Sequence, residues 1–156
     1  MASQDITVYT NLIESRVLAG SCELAAAVPL FGRSTPLWTP SAFLAAKQAE
    51  QGARHLRFGD TAYNLEPHLK EGPGGLRDLQ MITWLGHETT GSASFQMMVE
   101  TGLLDATEVE ALVSARSTLF RIRYALHLLA NRAEDRLLFD YQRDVARTLG
   151  YRDEHA

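Results

Sequence analysis

Lys70, Gly72, Gly74, Gly75, Arg77 and Asp78 stand within nine residues, in the string KEGPGGLRD, with Asn64 and Glu66 just upstream. Gly72, Pro73, Gly74 and Gly75 bar regular structure, and Leu76, Leu79, Ile82 and Leu85 then recur at helical spacing, so the string reads as a glycine-rich loop entering a helix. The first N–H groups of a helix lack partners within it, and its dipole makes that end positive, which suits an anion such as phosphate. Lys70 and Arg77 add formal charge to that end, and Asn64 and Glu66 add polar groups. The plain alternative is a sharp turn in which Asp78 complements the dipole and Arg77 pairs with a neighbouring carboxylate.

A second basic group, Arg121, Arg123 and His127, lies in RIRYALHLL. Arg116, Phe120, Arg123 and His127 form a row at helical steps, which reads as snorkelling to solvent or pairing with acids on the next helix. His87-Glu88 opens like a zinc-protease motif but lacks the second histidine, so no metal site is expected there.

The elements that must position these residues are helical. Asp5 caps a helix to about Ala19, with Ile6, Leu12, Ile13 and Val17 on one face and Gly20 as its stop. Ser21 to Pro29 adds a short helix, and Gly32 to Trp38 is a turn-rich link. Thr39 and Pro40 open a helix through about Arg57 whose charged side reads mainly as a solvated face. Thr61 to Leu65 reads as extended and Gly86 to Ser94 as a loop. A short helix follows to about Thr101, ended by Gly102. Asp105 and Glu108 have capping-box spacing and announce the longest helix, to about Arg132, with Leu112, Ala115, Leu119, Ile122, Leu126 and Leu129 as its core stripe. A charged bend from Asn131 to Asp135 leads to a last helix, Leu137 to Gly150. The expected fold is all-α: an antiparallel helical bundle around one long helix, arranged as an N-terminal arm over 1–60 and the loop and bundle over 61–156.

Composition narrows the classes. The 156 residues are 46% hydrophobic and 22% charged, ordinary globular material for one domain. A net charge of −4 argues against nonspecific nucleic-acid binding, which needs a basic surface. One cysteine, Cys22, allows no internal disulfide and fits a reducing compartment. The apolar run Leu24 to Phe31 is too short to span a membrane, and the N-terminus has no signal-peptide pattern, so the expected location is cytoplasmic.

Taken whole, KEGPGGLRDLQ with NLEP upstream resembles the signature of bacterial protein-PII uridylyltransferase/uridylyl-removing enzymes. The resemblance extends to ITVYTNLIESRVLAG, to RHLRFGDTAYNLEP and to RIRYALHLLANRAEDRLLFDYQRDVARTLGYRD. His68 stands where that family more often has asparagine. The resemblance implies an enzyme that transfers UMP from UTP to a tyrosine of the PII signalling protein when nitrogen is scarce and removes it when glutamine is abundant. It implies Mg2+ and UTP for the parent enzyme, with neither held tightly by this chain, and PII and a nucleotidyltransferase domain as partners. Transfer of the polymerase-beta type needs a D-x-D pair of carboxylates, and every aspartate here stands singly. The chain is therefore expected to hold no catalytic or metal-binding residue of its own. Its expected role is to complete an active site with Asn64, Glu66, Lys70, Gly72, Gly74, Gly75, Arg77 and Asp78, and with Arg121, Arg123 and His127 as further members. Glutamine-synthetase adenylyltransferases share the glycine signature more distantly, with Glu where Gln80 stands. A non-catalytic helical interaction module is the remaining alternative, and self-association is an expected consequence of a surface left uncovered.

Overall fold

The computed structural model describes residues 5–15, 18–21, 23 and 37–152. Among them are six helices: α1 (Ile6–Ile13), α2 (Pro40–Arg57), α3 (Leu76–Thr90), α4 (Phe95–Glu100), α5 (Ala106–Ala130) and α6 (Phe139–Thr148). The class is all-α, and the one β-type pairing among the described residues is an isolated antiparallel bridge between His68 and Arg136.

Capping chemistry sets most of the boundaries. The Asp5 carboxylate accepts from the N–H groups of Thr7 and Val8. Thr39 accepts from Ala42 N–H, and Pro40 occupies the first turn of α2. Asp105 and Glu108 form the reciprocal capping box of α5. The α3 and α5 helices end on left-handed residues, Gly91 and Asn131.

Four expectations are corrected. The first helix ends at Ile13, well short of Ala19, because the Ser15 N–H and hydroxyl both turn back onto the Leu12 carbonyl. Val17 and most of the short helix and link expected over 21–29 and 32–38 lie outside the described residues. Residues 61–65 turn rather than extend, with Thr61 and Asn64 side chains accepting backbone N–H groups two residues on. Residues 86–90 are helical, not loop. The Thr89 and Thr90 hydroxyls bond to carbonyls one turn back, and Gly86 gives Met98 of α4 room to press against the helix.

The fourth correction concerns the centre of the fold. The helix that packs against most others is α3, which touches α1, α2, α4 and α5, whereas α5 packs on α3, α4 and α6. Along α5 the expected stripe is fully buried only at Leu126. Leu119 and Ile122 are half-buried, while Ala115 and Leu129 are exposed. The N-terminal half of α5 stands off from α3, and the gap is a cavity lined by Leu76, Leu79, Leu112 and Phe120.

Two cores result. Tyr9, Phe43, Met81 and Trp84 join α1, α2 and α3, and Leu69, Ala125, Leu126 and Val145 join the signature loop to α5 and α6. Fully burying a side chain such as Phe43 or Leu126 stabilises by about 1.5–3 kcal/mol relative to leaving it exposed.

Candidate functional site

The signature loop lies between the two cores and is held from inside. Gly72 N–H donates to the His68 carbonyl, Gly75 N–H to that of Gly72, Leu76 N–H to that of Leu69 and Arg77 N–H to that of Lys70, all at 2.8–2.9 Å. The chain is so tight at Gly75 that a Cβ there would meet the Gly72, Leu69 and Lys70 carbonyl oxygens at 2.8–2.9 Å. Gly74, with φ of +74°, occupies the left-handed region. The backbone donors at the start of α3 are thus already occupied, and anion binding here falls to side chains.

Asp78 is the loop's main fastener. Its Oδ1 accepts from Arg54 Nη2 at 2.6 Å and Gln51 Nε2 at 2.9 Å. Its Oδ2 accepts from Gly74 N–H at 2.8 Å and His55 Nε2 at 3.0 Å. Burial alone would raise its pKa, but these donors, led by Arg54, outweigh burial and hold the carboxyl below the usual carboxylate range. Arg54, 8% exposed, spans the junction by donating through Nη1 to the Glu71 carbonyl. Its Nε is buried without a hydrogen-bond partner, and the Glu71 carboxylate stands 3.9 Å away. An unpaired buried donor costs about 1–3 kcal/mol.

The far end of the loop has a second fastener. Arg123 and His127 of α5 both bond Asp135, whose carbonyl accepts Leu69 N–H. Burial works to raise the Asp135 pKa, and the Arg123 and His127 contacts override it and hold the carboxyl low. Glu66 reaches across to accept Phe139 N–H at 3.0 Å, supplying from a distance the cap that Leu138 cannot give α6. Asn64 bonds back to Glu66 N–H. Arg121 is exposed and makes no ion pair among the described residues. Arg123 and His127 therefore meet at Asp135, away from Arg77, and Asn64 and Glu66 stitch the incoming segment to α6.

Lys70 and Arg77 both approach Glu71 Oε1, at 3.7 and 3.3 Å, and each lines a different cavity. Lys70 lines the α3–α5 cavity, about 270 Å³, whose walls are mostly apolar and whose rim carries Arg116 and Arg123. Arg77 bonds Glu71 and Gln80, lies over the Trp84 ring, and lines a cleft of about 530 Å³ between α1, α2 and α3. Lys47, Arg54 and Arg57 line the same cleft, with Glu50 and Glu71 as its carboxylates. Lys47 is 2% exposed, bonded to Glu50 and stacked on Trp84.

A family model for "GlnD PII-uridylyltransferase" matches residues 42–156, three-quarters of the chain, including the whole signature loop. This chain belongs to that family. It is 46% identical over 155 residues to bifunctional uridylyltransferase/uridylyl-removing enzymes of Stutzerimonas stutzeri and of Azotobacter vinelandii, with 99% of this chain and 17% of each relative covered. It is 48% identical over 153 residues to the enzyme of that name in Methylococcus capsulatus, covering 98% of this chain and 17% of the relative. The chain thus spans about a sixth of the length of the curated relatives it matches. No solved structure matches it.

Within the PII-uridylyltransferase family frame, Asp78 does not fit a magnesium ligand. A carboxylate offers about four acceptor directions, and four protein donors already fill them. Among the described residues no three His, Cys, Asp or Glu side chains converge as a metal site. Asp78 also holds Arg54 and His55 rather than Arg77, so it fixes the loop and not the guanidinium beside it.

Gln51, His55, Lys47 and Glu71 are site residues that the sequence reading did not single out. A signal for one of them was present: Phe43, Lys47 and Arg54 are separated by four and seven residues, which puts both cations on the buried face of α2 with the phenylalanine. Reading the charged side of α2 as solvated followed the general rarity of buried lysine and arginine.

Proposed function

We propose that this chain is the helical part of a bifunctional uridylyltransferase/uridylyl-removing enzyme, which transfers UMP from UTP to the PII protein and removes it again in the cytoplasm. Within the arm over 1–60, α1 and α2 brace α3, and the part over 61–156 carries the signature loop. Magnesium belongs, in this reading, to carboxylates outside this chain. The observation that carries the proposal is a loop locked by Asp78 and Asp135 that sets Arg77 and Lys70 around Glu71, each lining its own cleft. A rigid loop sets charged groups within the sub-ångström tolerance that phosphoryl chemistry demands, which makes the loop a means of completing the site. Relatives carrying the uridylyltransferase name favour UMP over AMP as the transferred group.

The test is Arg77→Ala in the full-length enzyme, with PII labelling by radiolabelled UTP as the readout and the 156-residue chain alone as the control that labels nothing. Losing a charge-assisted contact to phosphate in the transition state lowers transfer by roughly tenfold to a hundredfold. The melting temperature changes little, because Arg77 is partly exposed at the cleft edge. Unaltered transfer by that variant would sink the assignment.

A further inference from the structure

We propose that the cleft between α1, α2 and α3 is a polyphosphate-binding site built on Lys47, Arg54, Arg57 and Arg77, and that it takes the phosphate chain of a nucleoside triphosphate. The proposal deepens the uridylyltransferase reading, on which the choice of UTP as the nucleotide rests; the anion chemistry rests on the cleft itself.

Four observations carry it. Four cations line the cleft against two carboxylates, Glu50 and Glu71, in a chain whose net charge is negative. At about 530 Å³ the space lies within the range of small-molecule sites, roughly 300–1,000 Å³. Arg57 is exposed at the cleft and has no hydrogen bond or ion pair from its side chain among the described residues, so its full charge is available. Arg54 is held rigidly by Asp78 and the Glu71 carbonyl yet keeps one buried N–H without an acceptor, a vacancy that an incoming phosphate oxygen fills if Glu71 gives way.

Arginine suits this task because its planar fork presents paired donors to phosphate oxygens, and three arginines converge here from two helices. Lys47 is a compact charge fixed against Trp84, where it cannot swing away. Glu50 and Glu71 neutralise the empty cleft by bonding Lys47 and Arg77. A polyphosphate replaces those carboxylates as the partner of both cations. No other described cavity has this character, since the α3–α5 cavity has mostly apolar walls and its Arg123 is committed to Asp135.

The test is isothermal titration of the 156-residue chain with inorganic tripolyphosphate, UTP and uridine in separate arms, with circular dichroism melts confirming that each variant folds. Tripolyphosphate and UTP bind and uridine does not, and binding weakens as salt rises. Arg57→Ala and Arg77→Ala each weaken tripolyphosphate roughly tenfold, the loss expected for one charge-assisted contact. Glu50→Gln tightens it by releasing Lys47, a gain that no purely structural role would give. Arg143→Ala on α6, which packs on α5 and not on this cleft, leaves it unchanged. Absence of binding at millimolar tripolyphosphate, uridine binding as well as UTP, or unaltered wild-type affinity in both arginine variants overturns the proposal. Normal transfer by full-length Arg77→Ala alongside weakened tripolyphosphate binding by Arg57→Ala would reject the transferase reading and leave the cleft standing.

Discussion

Asp78 shows how one side chain can matter more than its position suggests. In the sequence it is an acid in the first turn of a helix, and complementing the helix dipole is sufficient reason for it to be there. In the structure it gathers donors from α2 and from the loop, so α2, the Gly74 turn and α3 depend on one carboxylate. A carboxyl whose pKa is depressed by folding contributes stability that is present above its unfolded value and is lost as pH falls through its folded value. The protein therefore loses stability from about pH 4 downward, where an unfolded aspartate begins to take up its proton. Asp78→Asn keeps the shape but removes the charge that Arg54 faces, at 17% side-chain exposure for the aspartate. Breaking such a pair costs roughly 3–5 kcal/mol. Urea titrations from pH 3 to 7 would show the variant less stable at neutral pH and with a flatter acid limb. An acid limb unchanged by the substitution would show that Asp78 is not the group responsible. Asp135 contributes in the same direction through its own depressed pKa, so the limb is flattened rather than abolished.

At the scale of elements, glycine does two different jobs, and substitution separates them. At Gly75 the obstacle to a side chain is three backbone carbonyl oxygens at 2.8–2.9 Å, which cannot rotate away. At Gly86 it is the end of the Met98 side chain, which is buried but has several torsions to adjust. Alanine at Gly86 also gains helix propensity of about 1 kcal/mol over glycine, which offsets part of the repacking. Gly75→Ala should therefore destabilise by about 1–3 kcal/mol or more, and Gly86→Ala by less than about 1 kcal/mol. Chemical denaturation of the two variants checks the order, and the reverse order would mean that the loop is looser than its hydrogen bonds indicate. The same distinction explains what the sequence could show. Caps and stops are local, so the starts of α1, α2 and α5 and the turn at Gly102 were legible from Asp5, Thr39, Asp105 and the glycine. The glycine signature was legible too, as a string that enters a helix. Whether the polar stretch 86–90 stays helical, and whether Lys47 and Arg54 turn inward, depends on partners in other helices, such as Met98 of α4 and Asp78 of α3. Helical spacing marked an apolar stripe on α5, but could not tell that only Leu126 of it would be fully buried while Ala115 and Leu129 stay exposed.

For the molecule as a whole, the signature region joins the two cores through backbone hydrogen bonds, beside the direct packing of α3 on α5 and of α4 on both. The first joins α1, α2 and α3; the second joins Leu69 of the loop to α5 and α6. Leu69 N–H bonds Asp135 and its carbonyl accepts Leu76 N–H, so one link between the cores is a short hydrogen-bonded relay through the residues placed in the candidate site. Such an arrangement lets one half loosen while the other stays closed, because local opening follows the boundaries of packed units. Leu126, with no exposed surface, is the place to probe it. Leu126→Ala removes a fully buried side chain, at a cost of about 2–5 kcal/mol, from the second core alone. Native-state hydrogen exchange should then show the amides of α5 and α6 and of Leu69 losing protection, while those of α2 around Phe43 keep theirs. The amides of Leu76 and Arg77 decide the matter: they bond to loop carbonyls, so their loss of protection would mean that the relay carries disorder from the second core to the start of α3. Equal loss throughout α1 to α6 would instead make the chain one cooperative unit, with its cationic cleft and signature loop rising and falling in stability together.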